Sequence, residues 1–183
     1  MLSTFVVYVE NKPGVLNRVA SLFRRRAYNI DSLTVGRTEI PGVSRMTIVV
    51  DIAEGVAPRV EANLYKLFNV IRVDDVTAEP SVFRELAVIK VTADGETRPH
   101  LMELANVFRA RILDVAPGSL MFEITGTGEK VDGLLDVLRP YGVLELVRTG
   151  RIAMRRGTES SVEPPEQPAQ QLGSKEKTST VAV

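Results

Sequence analysis

The chain has 183 residues, with 23 basic against 23 acidic side chains, one histidine and no cysteine. At 44% apolar residues it can bury one or two cores, and its balanced charge gives no global signature for nucleic acid or an anionic membrane surface. The lack of cysteine excludes disulfides and thiolate metal sites, and a lone histidine leaves no His-based metal cage or usual nucleophilic triad.

The first predicted element is a strand over residues 3–10, a near-continuous apolar run rich in Val and Tyr that suits a buried pleat. Next comes Asn11-Lys12-Pro13-Gly14-Val15-Leu16, opening a helix over residues 14–26 whose Val15, Leu16, Val19, Leu22 and Phe23 recur at helical spacing. Asn11 can cap that helix, Pro13 suits its first turn, and Gly14 lets backbone come close to a ligand. A strand, a Gly-containing turn and a helix N-terminus form an anion site, because free N–H groups and the helix dipole point the same way. A small carboxylate fits such a site, although a cap without a ligand accounts for these residues more simply. Strands follow over 29–38 and 44–51, turned by Pro41-Gly42. A helix over 56–68, with Pro58 early and Val60, Leu64, Leu67 and Phe68 inward, leads to a strand over 70–77. The order is βαββαβ.

The second half repeats this organisation without repeating the letters. A strand at 86–91 precedes a helix capped by Thr97, with Pro99 early and Leu101, Leu104, Ala105 and Phe108 inward. Strands at 112–115 and 120–125 turn at Pro117-Gly118. A helix then buries Val131, Leu134, Leu135 and Leu138, Pro140-Tyr141-Gly142 stops it, and 143–147 is the last strand. The expected fold class is α+β: two ferredoxin-like βαββαβ domains, 1–78 and 79–157, each a sheet with two helices on one face. Open four-stranded sheets have free edges, which invite edge-to-edge dimers. Residues 158–183, rich in Glu, Pro, Gln, Ser, Lys and Thr, cannot offset the entropy of ordering and read as a disordered tail.

Other polar features carry little chemistry. His100 falls in the first turn of a predicted helix and reads as a surface residue, while Asp31, Asp74 and Asp75 read as turn or strand-end residues. Gly126-Thr127-Gly128-Glu129-Lys130 lacks the spacing of a phosphate loop and reads as a strand-to-helix turn. Arg24-Arg25-Arg26 closes the first helix, where cations meet the negative end of the dipole. Ferredoxin-like sheets that bind RNA display aromatics in a recognisable motif, and none occurs among 5% aromatic residues. No apolar run nears the ~20 residues of a membrane helix. The first residues do not read as a signal peptide, so cytoplasmic is the expectation.

Taken as letters, Asn11-Lys12-Pro13-Gly14-Val15-Leu16-Asn17-Arg18-Val19 and then Leu22-Phe23-Arg24-Arg25-Arg26-Ala27-Tyr28-Asn29-Ile30-Asp31-Ser32-Leu33 resemble the small regulatory subunits of acetolactate synthase (acetohydroxyacid synthase). Ser44-Arg45-Met46-Thr47-Ile48, Leu67-Phe68-Asn69-Val70-Ile71-Arg72-Val73, Arg84-Glu85-Leu86-Ala87, Phe108-Arg109-Ala110-Arg111-Ile112 and Leu138-Arg139-Pro140-Tyr141-Gly142 continue the likeness. It spans residues 2 to about 157, and its first part resembles an ACT domain, a module that commonly senses amino acids.

The resemblance implies a non-catalytic subunit that activates a large catalytic partner and confers feedback inhibition by L-valine in branched-chain amino-acid synthesis. Thiamine diphosphate, magnesium and FAD would belong to that partner, with no cofactor on this chain. It also implies a homodimer through ACT domains, with valine at their interface. Backbone N–H groups at Gly14, Val15 and Leu16 would take the carboxylate. Asn11 would meet the ammonium, and Asn29 with Ile30 of the facing subunit would close the pocket. Discrimination by apolar walls is worth only ~1–3 kcal/mol per methylene. Ala27 stands where the family usually has glycine. If that position is left-handed, alanine there costs about 1 kcal/mol. The alternative is a free-standing ACT-type sensor for another enzyme or a transcriptional partner.

Overall fold

The computed structural model describes residues 1–157, so the expected tail lies outside the described residues. Strand β1 (Leu2–Glu10), helix α1 (Val15–Arg25), strands β2 (Asn29–Arg37) and β3 (Val43–Asp51), helix α2 (Ala57–Leu64) and strand β4 (Val70–Asp75) build the first unit. Its sheet is antiparallel and ordered β2-β3-β1-β4. Strand β5 (Ser81–Thr92), helix α3 (Arg98–Phe108), strands β6 (Arg111–Ala116) and β7 (Ser119–Gly126), helix α4 (Gly128–Leu138) and strand β8 (Val143–Arg148) repeat the topology as β6-β7-β5-β8. Both expected ferredoxin-like units are present.

Each core follows from the two periodicities. Phe5, Val7 and Val9 alternate along β1 toward the helices and meet Val19, Leu22 and Phe23 of α1 and Val60 and Leu64 of α2. In the second unit Ala87, Ile89 and Val91 of β5 meet Leu101 and Ala105 of α3 and Leu134 and Leu138 of α4. Burial of such aliphatic side chains is worth ~1.5–3 kcal/mol each and holds the helices to one sheet face.

The first sheet departs from the expectation of one covered face. Val6 and Tyr8, on the face away from the helices, are buried with Val43, Val76 and Ala153 and are packed by Phe83. The cover is a two-stranded arm absent from the sequence reading. Strand β5 begins five residues earlier than expected, and its first part pairs with a short strand β9 (Ile152–Arg155) in the register Ser81↔Arg155 to Arg84↔Ile152. This explains why β1 is apolar on both faces rather than alternating.

Several local expectations are corrected. Helix α1 starts at Val15 with Gly14 as its N-cap, so Pro13 lies outside the helix, and no side chain, Asn11 included, caps it. Helix α2 ends at Leu64 rather than 68, and Phe68 is 78% exposed instead of inward. The helical spacing runs past the true end because Leu67 still packs on the core from the following turn. Thr97 does not cap α3 with its side chain; its N–H and that of Glu96 donate to Asp94 Oδ1 at 2.8 and 3.0 Å. That pairing holds the Asp94 carboxyl below its usual range.

Candidate functional site

Glycine at position 14 is favoured by backbone geometry: its φ of 83° is left-handed, a region that costs an L-residue about 1–2 kcal/mol. Through that turn the chain reverses from β1 into α1, and the first helical bond runs from Arg18 N–H to Gly14 O at 3.1 Å. The first turn of α1 has no acidic residue and no side-chain cap. A Cβ built on Gly14 meets nothing within 4 Å, so the space beside this turn is open. Val15 is buried and donates to Lys12 O at a long 3.4 Å, while Leu16 is 44% exposed beside it. Asn11 is exposed, and its backbone N–H is tied to Gly42 O of the β2–β3 turn at 2.7 Å. The positive end of α1 is thereby held open at the β2–β3 turn end of the sheet.

A polar network that the sequence reading missed stiffens this end. Lys12 Nζ donates to Glu10 Oε1 at 3.0 Å, the Asn69 amide donates to Glu10 Oε2, and Arg18 donates to Asn69 Oδ1 at 2.6 Å. Arg18 also lies 4.5 Å from the centroid of the exposed Phe68 ring. Hydrogen bonds from Lys12 and then Asn69 hold the Glu10 carboxyl below its ordinary value. The available signal was Asn69, a buried polar residue inside an otherwise apolar run.

Asn29 and Ile30 stand elsewhere. They open β2, with Asn29 opposite Asp51 and Ile30 opposite Val50, and Asp51 in turn faces Leu2 at the start of β1. Asn11 follows the other end of β1, nine residues away, or about 30 Å at ~3.4 Å per residue. Within one chain the structure brings Asn11, Gly14, Val15 and Leu16 together and leaves Asn29 and Ile30 at the far end of the sheet. Asn29 is exposed, whereas Ile30 packs partly on the core.

The link between α1 and β2 is a tight helix stop. Tyr28 N–H reaches back to Phe23 O at 3.0 Å and Ala27 N–H to Arg24 O at 3.1 Å, with Ala27 at φ 54°. The Tyr28 ring meets Phe23 edge-on at 6.2 Å between centroids. Ala27 is therefore left-handed, and it sets where Asn29 begins.

Among the described residues, no group of three or more His, Asp or Glu side chains is placed to hold a metal ion. No helix of the described residues is long and apolar enough to cross a membrane.

Residues 5–72 match a family described as the AHAS small subunit-like ACT domain, and residues 84–157 match one described as the small subunit of acetolactate synthase. The chain is 53% identical over 157 residues to a probable acetolactate synthase small subunit of Archaeoglobus fulgidus, covering 86% of this chain and 98% of the relative. It is 49% identical over 154 residues to the acetolactate synthase small subunit of Mycolicibacterium smegmatis, covering 84% and 91%. It superposes on the crystal structure of the acetolactate synthase small subunit from Thermotoga maritima with a TM-score of 0.80 at 39% identity, over 87% of this chain and 99% of that one. Extended likeness across both sheets, at this identity, places the chain in the acetolactate synthase small-subunit family.

Proposed function

We propose that this protein is the non-catalytic regulatory subunit of a cytoplasmic acetolactate synthase, activating a large catalytic subunit and making it sensitive to L-valine. Thiamine diphosphate, magnesium and FAD belong to that catalytic subunit in this reading. Residues 1–78 act as the effector-binding and dimerising domain, and 79–157 complete the subunit. The match of the second unit to the same family favours this over a free-standing sensor, which needs only the first.

The observation that carries the effector reading is the open end of α1, led by left-handed Gly14 and free of side-chain caps. A valine carboxylate at Gly14, Val15 and Leu16 would meet backbone donors that no side chain caps, in the helix's positive field. Asn11 Oδ1 is suited to the ammonium. The far placement of Asn29 and Ile30 fits a site built between two copies. Strand β2 is a sheet edge, and antiparallel pairing of two such edges about a two-fold axis sets the start of one strand beside the end of the other. Asn29 and Ile30 of the partner subunit would then lie at the end where Arg37 pairs with Ser44 and Glu10 with Val43, next to Asn11 and Gly14.

The test is a thermal unfolding scan with L-valine, D-valine or no ligand, followed by inhibition assays with the catalytic subunit. L-valine at ~100 times its dissociation constant should add ~2.7 kcal/mol of stability, and D-valine should not. Gly14→Asp sets a carboxylate where the ligand's belongs, and should remove both the shift and the inhibition while activation persists. Absence of both L-valine effects in the parent protein would end the sensing role; inhibition retained in the variant would move the site elsewhere.

A further inference from the structure

Strands β8 and β9 run along β5 almost as one strand, interrupted at Thr149, Gly150 and Arg151. Arg148 is opposite Ala87, Thr149 N–H still donates to Leu86 O at 3.0 Å, and Ile152 is opposite Arg84. At the interruption the chain meets the first sheet. Thr34 Oγ1 of β2 lies 3.2 Å from Thr149 O and 3.3 Å from Arg151 O, and Arg151 N–H donates to Ser32 Oγ at 3.2 Å. Gly150 fits there for two independent reasons. Its φ is 83°, and an added Cβ would lie 3.1 Å from Thr34 Oγ1 and 3.2 Å from Ser32 Oγ.

The rest of this segment is fastened to the other strands of the first sheet. Arg151 Nη1 is 3.4 Å from Thr4 Oγ1 of β1, Arg45 of β3 donates to Ala153 O, and Arg155 lies 3.9 Å from Asp74 of β4. On its other side Arg148 pairs with Asp132 of α4 at 2.6 Å and with the nearly buried Glu85 of β5. Beside these contacts a cleft of about 580 Å³ separates the units, lined by Asp31, Ser32, Glu85, Gly128, Asp132 and Arg148. The segment 148–155 thus touches every strand of the first sheet and a helix of the second.

We infer that Ser32, Thr34 and Gly150 are positioning residues for regulation, forming a latch through which β2 reports its position to the second unit. This rests on the proposed effector site, because β2 starts with Asn29 and Ile30, three and two residues before Ser32. A ligand that favours one setting of β2 must favour the matching setting of 149–151, and with it the pairs of Arg148 with Asp132 on α4 and Glu85 on β5. Coupling of this kind requires a shared element with different energies in two states. The hydroxyls of Ser32 and Thr34 supply such an element. Being short side chains on a strand, they transmit a shift of backbone with little slack.

The test uses the complex reconstituted from the catalytic subunit and the full chain, with three readouts: valine affinity of this chain, activation, and inhibition by valine. Thr34→Val keeps the shape and removes the hydroxyl; Ser32→Ala removes the acceptor for Arg151; Thr34→Ser restores a hydroxyl. Both disrupting variants should bind valine within about twofold of the parent and still activate. Their response to saturating valine should fall by roughly fivefold or more, the low end of usual coupling factors, with Thr34→Ser close to the parent. Full inhibition in Thr34→Val and Ser32→Ala would overturn the latch. So would loss of valine binding in both, which would make these residues part of the site rather than its link. A parent chain that neither binds valine nor is inhibited by it removes the effector reading first, and the latch with it.

Discussion

Ala27 holds a φ of 54° at the C-terminal stop of α1, with two backbone hydrogen bonds and the Phe23–Tyr28 ring contact arranged around it. A Cβ in that region crowds the following carbonyl, and the contacts compensate without removing the strain. Ala27→Gly should therefore stabilise the protein by about 1 kcal/mol, partly offset by glycine's greater unfolded-state freedom. For a chain of this size, 1 kcal/mol raises Tm by ~2–4 °C, which a differential scan reads directly; a lower Tm would show that the helix stop carries no strain. Arg109 takes the same left-handed role at the end of α3, where Ala110 N–H reaches Ala105 O at 2.8 Å. The need for a left-handed residue after α1 was readable from the letters, because the resemblance expects glycine there. The one after α3 was not, since arginine carries no preference for that region.

At the level of elements, β2 is the part of the first sheet on which most depends. One backbone edge is unpaired among the described residues, its first two residues are effector candidates, and Ser32 and Thr34 meet the second unit. Val35 is 43% exposed on this edge strand. Val35→Lys places a charge there, and two copies pairing edge to edge would set the charges near one another. In sedimentation the variant should be monomeric, and calorimetry should find no valine binding, with helical and sheet content unchanged. A dimer that still binds valine would place the subunit contact on another surface. The edge itself was foreseeable from the βαββαβ order. Its second contact was not, because Thr149-Gly150-Arg151 looks like an ordinary turn until it is set against Ser32 and Thr34.

Across the whole molecule, the arm formed by the start of β5 and β9 ties the two sheets together through Phe83 and Ala153 against Val6 and Tyr8. Arg151 adds its guanidinium at 5.5 Å from the Phe83 ring centroid. Phe83→Ala removes the larger of the two side chains the arm brings to that contact while leaving both helix-facing cores intact. It is expected to destabilise by ~2–4 kcal/mol, somewhat less than a fully buried Phe→Ala change. The same variant should split a single calorimetric transition into two, one for each sheet. One undivided transition at the parent's enthalpy would mean that the arm contributes nothing to their cooperation.

What the sequence determined by itself is local and periodic: apolar alternation or helical spacing names the strands and helices of both βαββαβ units, glycine and proline mark the turns, and two such orders imply two ferredoxin-like sheets. Its letters also placed the chain in its family. Tertiary structure alone decided that Asn29 and Ile30 lie at the opposite end of the sheet from Asn11 within one chain, that Phe68 faces outward under Arg18, and that residues 149–155 bridge the two units. The reason is the range of the interactions. Periodicity reports which face of an element is apolar, whereas the contacts joining residue 34 to 149 or 18 to 69 use ordinary polar side chains whose partners are chosen by the path of the whole chain.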